Sequence, residues 1–185
     1  MHERSGLSEF IIWDRRVVLI RKQQPADIPQ IREVNTQAFG QLEEADLVDK
    51  LRERCQEILE LVAVRGDEVV GHILFSPATI ACRGRTVTGA ALGPMAVSPR
   101  HQRQGIGTEL VESGVSILRE KGCLFLVVLG HPAFYPRFGF RPASQFGVHC
   151  DWDVPAAVFM LMVLAAEEMQ GVKGRVTYRP EFSQV

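Results

Sequence analysis

The stretch from Leu92 to Leu129 constrains the fold most, because its hydrophobic period changes twice. Leu92-Gly93-Pro94-Met95-Ala96-Val97 ends a strand, and Ser98-Pro99 stops it. From Gly105 the period is helical. Ile106, Leu110, Val111, Val115, Ile117 and Leu118 share one face, Arg119 and Lys121 occupy the last turn, and Gly122 follows. Leu124 to Leu129 is then apolar without alternation, the mark of a strand covered on both faces. Strand, helix and apolar strand form a βαβ unit, whose two strands run parallel.

Upstream, the pattern predicts antiparallel pairing. Leu61-Val62-Ala63-Val64 reaches Gly66-Asp67 and returns through Val69, Val70 and Ile73 to Phe75, a hairpin. Arg83-Gly84-Arg85 reads as a second turn into the strand that ends at Val97. Val17 to Ile20 reads as a first strand. Helical stripes follow over Ala26–Phe39, closed by Gly40, and over Glu44–Cys55, with acids at its start. The expected fold is therefore α/β with a mixed, mostly antiparallel sheet around one parallel pair. At 185 residues the chain fits one domain. We expect an extension over residues 1–16, the domain over 17–166, and a C-terminal segment over 167–185 packed on it.

Lys and Arg total 21 and Asp and Glu total 22, a net charge of −1, so the basic excess of a nucleic-acid binder is missing. The longest apolar run, Ala156 to Ala166, is short of the ~20 residues needed to span a bilayer. Phe10-Ile11-Ile12-Trp13 is too brief for a signal-peptide core. Cys55, Cys82, Cys123 and Cys150 are scattered, with no Cys-x-x-Cys and no histidine at ligand spacing, so we expect no metal site and a reducing, cytoplasmic setting.

The turn Ser98–Thr108 carries the chemistry. The first turn of a helix offers unpaired backbone N–H groups and the positive end of its dipole. Gly105 and Gly107 let a phosphate approach those donors, and Arg100 and Arg103 add charge. The same glycines would also serve a tight strand-to-helix turn. No Gly-Lys-Ser/Thr follows, so this is not a P-loop; Leu110 stands where a dinucleotide fingerprint needs its third glycine. Pro94 cannot complete a central ladder, so Gly93-Pro94 predicts a bulge that pushes the strand from its parallel neighbour. Backbone groups of Met95, Ala96 and Val97 would then need a partner, which an extended amide-bearing ligand could supply.

Gln102-x-x-Gly105-x-Gly107 after a strand resembles the acetyl-CoA signature of the GNAT superfamily of N-acetyltransferases. Tyr135-Pro136-Arg137-Phe138-Gly139-Phe140 matches a second GNAT-like element just past the next strand. The Gly-Pro-Met-Ala-Val strand, Leu-Gly-His-Pro-Ala-Phe-Tyr and the late Gly174–Tyr178 look like its YhbS-like branch. This resemblance implies a GNAT-like sheet whose parallel pair is splayed at the bulge. It implies acetyl-CoA as co-substrate, its pyrophosphate on Arg103, Gln104, Gly105, Ile106, Gly107 and Thr108, and its pantetheine arm along Met95, Ala96 and Val97. The implied reaction is direct acetyl transfer to an amine, borne by a small molecule or a protein. Homodimers are common in such folds. A coenzyme A-binding regulatory module of the same fold is the alternative.

Such transfer needs a proton acceptor for the amine, donors for the oxyanion and an acid for the departing thiolate. Backbone N–H groups of the bulged strand suit the oxyanion. Tyr135, matched to the family tyrosine, is the candidate general acid; its alternative is an aromatic packed among Phe134, Phe138 and Phe140. Glu44 and His131 are candidate bases. Glu44 equally suits a helix N-terminus. His131 equally suits a turn before Pro132, and the branch often carries an acid at its position. His72 reads as structural, and Asp151-Trp152-Asp153 as a polar loop anchored by one aromatic.

Overall fold

The computed structural model describes residues 17–184. The expected extension over 1–16 lies outside them. The chain forms β1 (Leu19–Lys22), α1 (Ile28–Phe39), α2 (Glu43–Arg54), β2 (Leu59–Arg65), β3 (Glu68–Cys82), β4 (Arg85–Val97), α3 (Ile106–Glu120), β5 (Phe125–Leu129), β6 (Arg141–Pro142), β7 (Val148–His149), β8 (Phe159–Val163) and β9 (Gly174–Thr177). The main sheet runs β1-β2-β3-β4-β5-β8-β6, while β9 pairs with β3 and β7. Among the described residues, apart from the short β7–β9 pair, only β4 and β5 run parallel, as the βαβ reading requires.

Two hairpins build the centre. Gly66, left-handed at φ 62°, turns β2 into β3, and Arg83 and Gly84, at φ 48° and 79°, turn β3 into β4. Gly40 ends α1 with φ 76°, its N–H on the Thr36 carbonyl. On the edge away from β4, the long β3 strand serves two neighbours: Glu68–Phe75 pairs with β2, and Thr79–Ile80 with β9. The apolar stretch within Ala156–Ala166 becomes β8, a buried strand antiparallel to β5, so it belongs to the core.

Strand alternation divides the side chains between two faces. One face takes Ile73, Phe75, Leu92, Leu126 and Val128 against the apolar stripe of α3. Gly114 makes that contact possible, since a methyl there would overlap the Phe75 ring. On the other face, α1 and α2 cover Val62, Val64, Leu74 and Ala96. The rest of that face, with Ala78, Ile80, Phe125 and Val127, lies under the β7, β8 and β9 region and Met169 and Val172. Two covering layers thus meet over the middle of the sheet, at the level of the bulge.

Candidate active site

The last parallel pair is Leu92 with Val128. On β3, Ile73 faces Met95 and Phe75 faces Leu92, so Leu74 alone spans Gly93 and Pro94. This is the expected bulge, with β4 parting from β5 beyond it. The Ser98 N–H bonds the Val70 carbonyl at 2.9 Å. An antiparallel ladder alternates, so Ala96 also turns its polar groups toward β3, whereas Met95 and Val97 turn theirs toward the gap. Gln102 Nε2 donates to the Val97 carbonyl at 3.1 Å, so the outward-facing oxygen is already held. Sequence reasoning placed Gln102 in the glycine signature but did not foresee this bond; its signal is its place five residues after Val97, close enough to fold back.

The glycine turn stands at the mouth of that gap. Gly105 is left-handed at φ 89°, which explains a glycine there. Gly107 is different. Its φ is helical, and a Cβ would sit 3.5 Å from Phe134 and 3.8 Å from both Met95 and Val97, ordinary contact distances. The fold has room for a methyl at Gly107, so its absence serves close approach to the helix start rather than internal packing. Arg103 adopts φ 59°, a left-handed conformation that costs a non-glycine residue about 1 kcal/mol or more. Gln104 is braced by Arg65 at 3.0 Å and donates to the Arg100 carbonyl at 3.2 Å. Ile106 anchors the turn in the core, and Thr108 is half-buried at the helix start. The guanidinium groups of Arg100 and Arg103 have no carboxylate partner among the described residues. From Thr108 one helix face continues through Glu112, Ser116 and Arg119. With Val115, Arg137 and Phe138 the last three line a groove of about 350 Å³.

Tyr135 opens a short 3-10 turn, Tyr135–Phe138, on the same face of the sheet as α3. It is 6% exposed and packs edge-on to Phe134 at 5.0 Å and Phe140 at 5.6 Å between ring centres. A methyl on Gly130 would overlap its ring. No described residue hydrogen-bonds its hydroxyl, yet that oxygen is not among the sealed unpartnered atoms. The ring is therefore enclosed and the hydroxyl open. Burial pushes its pKa up to about 12, which keeps the proton on the oxygen at neutral pH.

Glu44 lies half-buried in the first turn of α2, and its carboxylate accepts from Gln41 Nε2 at 3.1 Å. His131 is exposed just beyond β5, and its carbonyl accepts the Phe134 N–H at 2.9 Å. Asp151 pairs at the surface with Arg175, and Trp152 packs edge-on to Tyr178.

His72 is the centre of a network that sequence reading missed. Its Nε2–H donates to Glu60 Oε1 at 3.0 Å, and its Nδ1 accepts from Asn35 at 3.1 Å. Arg52 donates to both Glu60 oxygens, at 2.6 and 3.2 Å. Burial alone would raise the Glu60 pKa; the bonds from His72 and Arg52 outweigh it and hold the carboxyl below its ordinary value. The network ties α1 and α2 to β2 and β3 directly behind Ala96, which faces His72 across the ladder.

A mixed sheet that opens its one central parallel pair above a glycine-started helix defines an acyltransferase fold. The sequence matches the profile described as Acetyltransferase (GNAT) domain over residues 19–143. It is 34% identical over 168 residues to the uncharacterized N-acetyltransferase YhbS of Escherichia coli K12, covering 90% of this chain and 99% of that protein. It is 39% identical to YjhQ, an uncharacterized N-acetyltransferase of the same organism, over 78% and 83% of the two chains. The YhbS crystal structure, in complex with CoA, superposes with a TM-score of 0.85 at 33% identity, over 99% of this chain and 96% of that one. A GNAT family acetyltransferase from Brucella melitensis, in complex with acetyl-CoA, gives 0.74 at 32% identity, over 90% and 99%. The chain belongs to the GNAT acetyltransferase family.

Proposed function

We propose that this protein transfers an acetyl group from acetyl-CoA directly to an amine, with Tyr135 as general acid. One observation carries the reading: the edge of Met95 and Val97 that β5 leaves uncovered and the Gly107 surface at the start of α3 face the same gap. The edge presents amide groups that suit the pantetheine arm. The N–H groups of the Arg103–Thr108 turn, with Arg100 and Arg103 beside them, suit the pyrophosphate. The groove past Thr108, with Arg119 and Arg137 at its sides, suits the phosphorylated adenosine end. When bound, the thioester supplies an activated acyl carbon.

The chain's own residues do the rest. Outward N–H groups of Met95 and Val97 stabilise the oxyanion. Tyr135 holds a proton on its open hydroxyl and yields it to the departing sulfur. Glu44, whose carboxylate has only a neutral partner, meets the amine from the opposite face; His131 is the second candidate to accept its proton. That open hydroxyl also favours catalysis over a purely regulatory coenzyme A module. Four unpaired cysteines suit a reducing cytoplasm. The test is Tyr135→Phe, assayed by acetyl-CoA consumption against a panel of amines. Turnover should fall about 10²-fold or more while coenzyme A affinity persists. Unchanged turnover would remove Tyr135 from the mechanism.

A further inference from the structure

We infer that the acceptor is a small primary amine carried on an apolar or aromatic body, resting on Phe39, Leu42 and Leu129. This rests on the acetyl-transfer reading above and gives it a substrate class. Among the described residues, five large apolar side chains stand exposed. Val17 and Leu19 lie at the outer edge of the sheet, on and just before β1. The other three are Phe39 at 42%, at the end of α1, Leu42 at 52%, just before α2, and Leu129 at 39%, at the end of β5, the strand that β4 leaves.

The placement follows from α1. Gln30 accepts the Val69 N–H at 2.9 Å, and Asn35 reaches His72, so α1 runs in the direction of β3. From Asn35 to Phe39 the helix advances about 6 Å, which is about two strand residues beyond His72. That brings Phe39 level with Leu74, the residue opposite Gly93-Pro94. Leu42 follows across the Gly40 turn. Leu129 is the next residue after the last parallel pair. It shares strand parity with Phe125 and Val127, so it points away from α3, toward the face that α1 and α2 cover. The coenzyme cradle lies on the α3 side; the apolar rim lies on the other.

Charge completes the description. Glu43 has no partner among the described residues, and Glu44 has only the neutral Gln41, so two uncompensated carboxylates adjoin Leu42. An ammonium group is drawn to these carboxylates, while its apolar body covers the three side chains. A polyhydroxylated or anionic body would gain nothing from that surface. In the transfer, the amine nitrogen forms the C–N bond, the C–S bond breaks, the amine loses one proton, and the departing thiolate takes one up.

The experiment compares 2-phenylethylamine with ethanolamine in the full chain, by initial rates with labelled acetyl-CoA. It also follows the Leu42 and Leu129 methyl NMR signals with each amine in the presence of coenzyme A. We expect kcat/KM at least about tenfold higher for the aromatic amine, with both methyls shifting only for that amine. In Phe39→Ser and Leu42→Ser the ratio should fall to about two. Equal rates for the two amines, or a preference for ethanolamine, would overturn the inference while acetyl transfer stands. Methyl shifts without acetylation of either amine would support the apolar site and refute the transfer reading. Silent methyls together with efficient acetylation would overturn the apolar site alone.

Discussion

Tyr135, the proposed general acid, has its ring enclosed away from water, and that burial holds the proton on its oxygen. The folded state holds that proton to about pH 12, while an unfolded tyrosine releases it near pH 10. The neutral form is the one that favours folding. Its contribution is therefore complete below about pH 10 and disappears as pH rises from about 10 to 12, a loss on the order of 3 kcal/mol at most. Urea denaturation across that window should show a shallower alkaline loss in Tyr135→Phe than in the native chain. Arg103 supplies a second prediction. Its left-handed backbone should relax in Arg103→Gly, so urea denaturation should show no loss of stability, and a gain of up to about 1 kcal/mol. Coenzyme A affinity, read by calorimetry, should nevertheless fall severalfold with the lost guanidinium.

The elements that place these residues are held by contacts of two kinds. On the α3 face the contact is steric. Gly114→Ala drives a methyl into the Phe75 ring and should cost about 1–3 kcal/mol in thermal or chemical denaturation. On the α1–α2 face it is polar. Glu60→Gln leaves Arg52 with Asp49 as its one remaining carboxylate partner and should cost about 1–3 kcal/mol. Glu60 is held below its ordinary pKa in the fold, so its contribution is present above about pH 4.3 and lost as pH falls through the depressed value. The variant should therefore also flatten the acid loss of stability. Periodicity made most elements legible. The hairpins, α3 and its parallel strands were readable because each signal is local, and Gly93-Pro94 announced the bulge because proline cannot serve a central ladder. The Asn35–His72–Glu60–Arg52 network was not readable. Its members come from α1, β3, β2 and α2, and a lone histidine or glutamate looks alike whether it is buried or solvated.

Across the whole molecule, the proposed function has the sheet separate the two reactants. The glycine turn, Tyr135 and the groove along α3 occupy one face, and the α1–α2 turn with Glu44 occupies the other; only the gap beyond Leu92 connects them. The coenzyme side was legible in the sequence because its motif is contiguous from Gln102 to Thr108. The proposed acceptor side was not, because Phe39, Leu42 and Leu129 come from the end of α1, the turn before α2 and the end of β5, far apart in sequence. The most direct test of the account is calorimetric titration of coenzyme A into the native chain and into Gly107→Ala, whose added methyl the fold can hold. The account predicts saturable heat for the native chain and at least a tenfold weaker Kd for the variant at unchanged thermal stability. No heat from the native chain, or equal affinity in the two proteins, would contradict it.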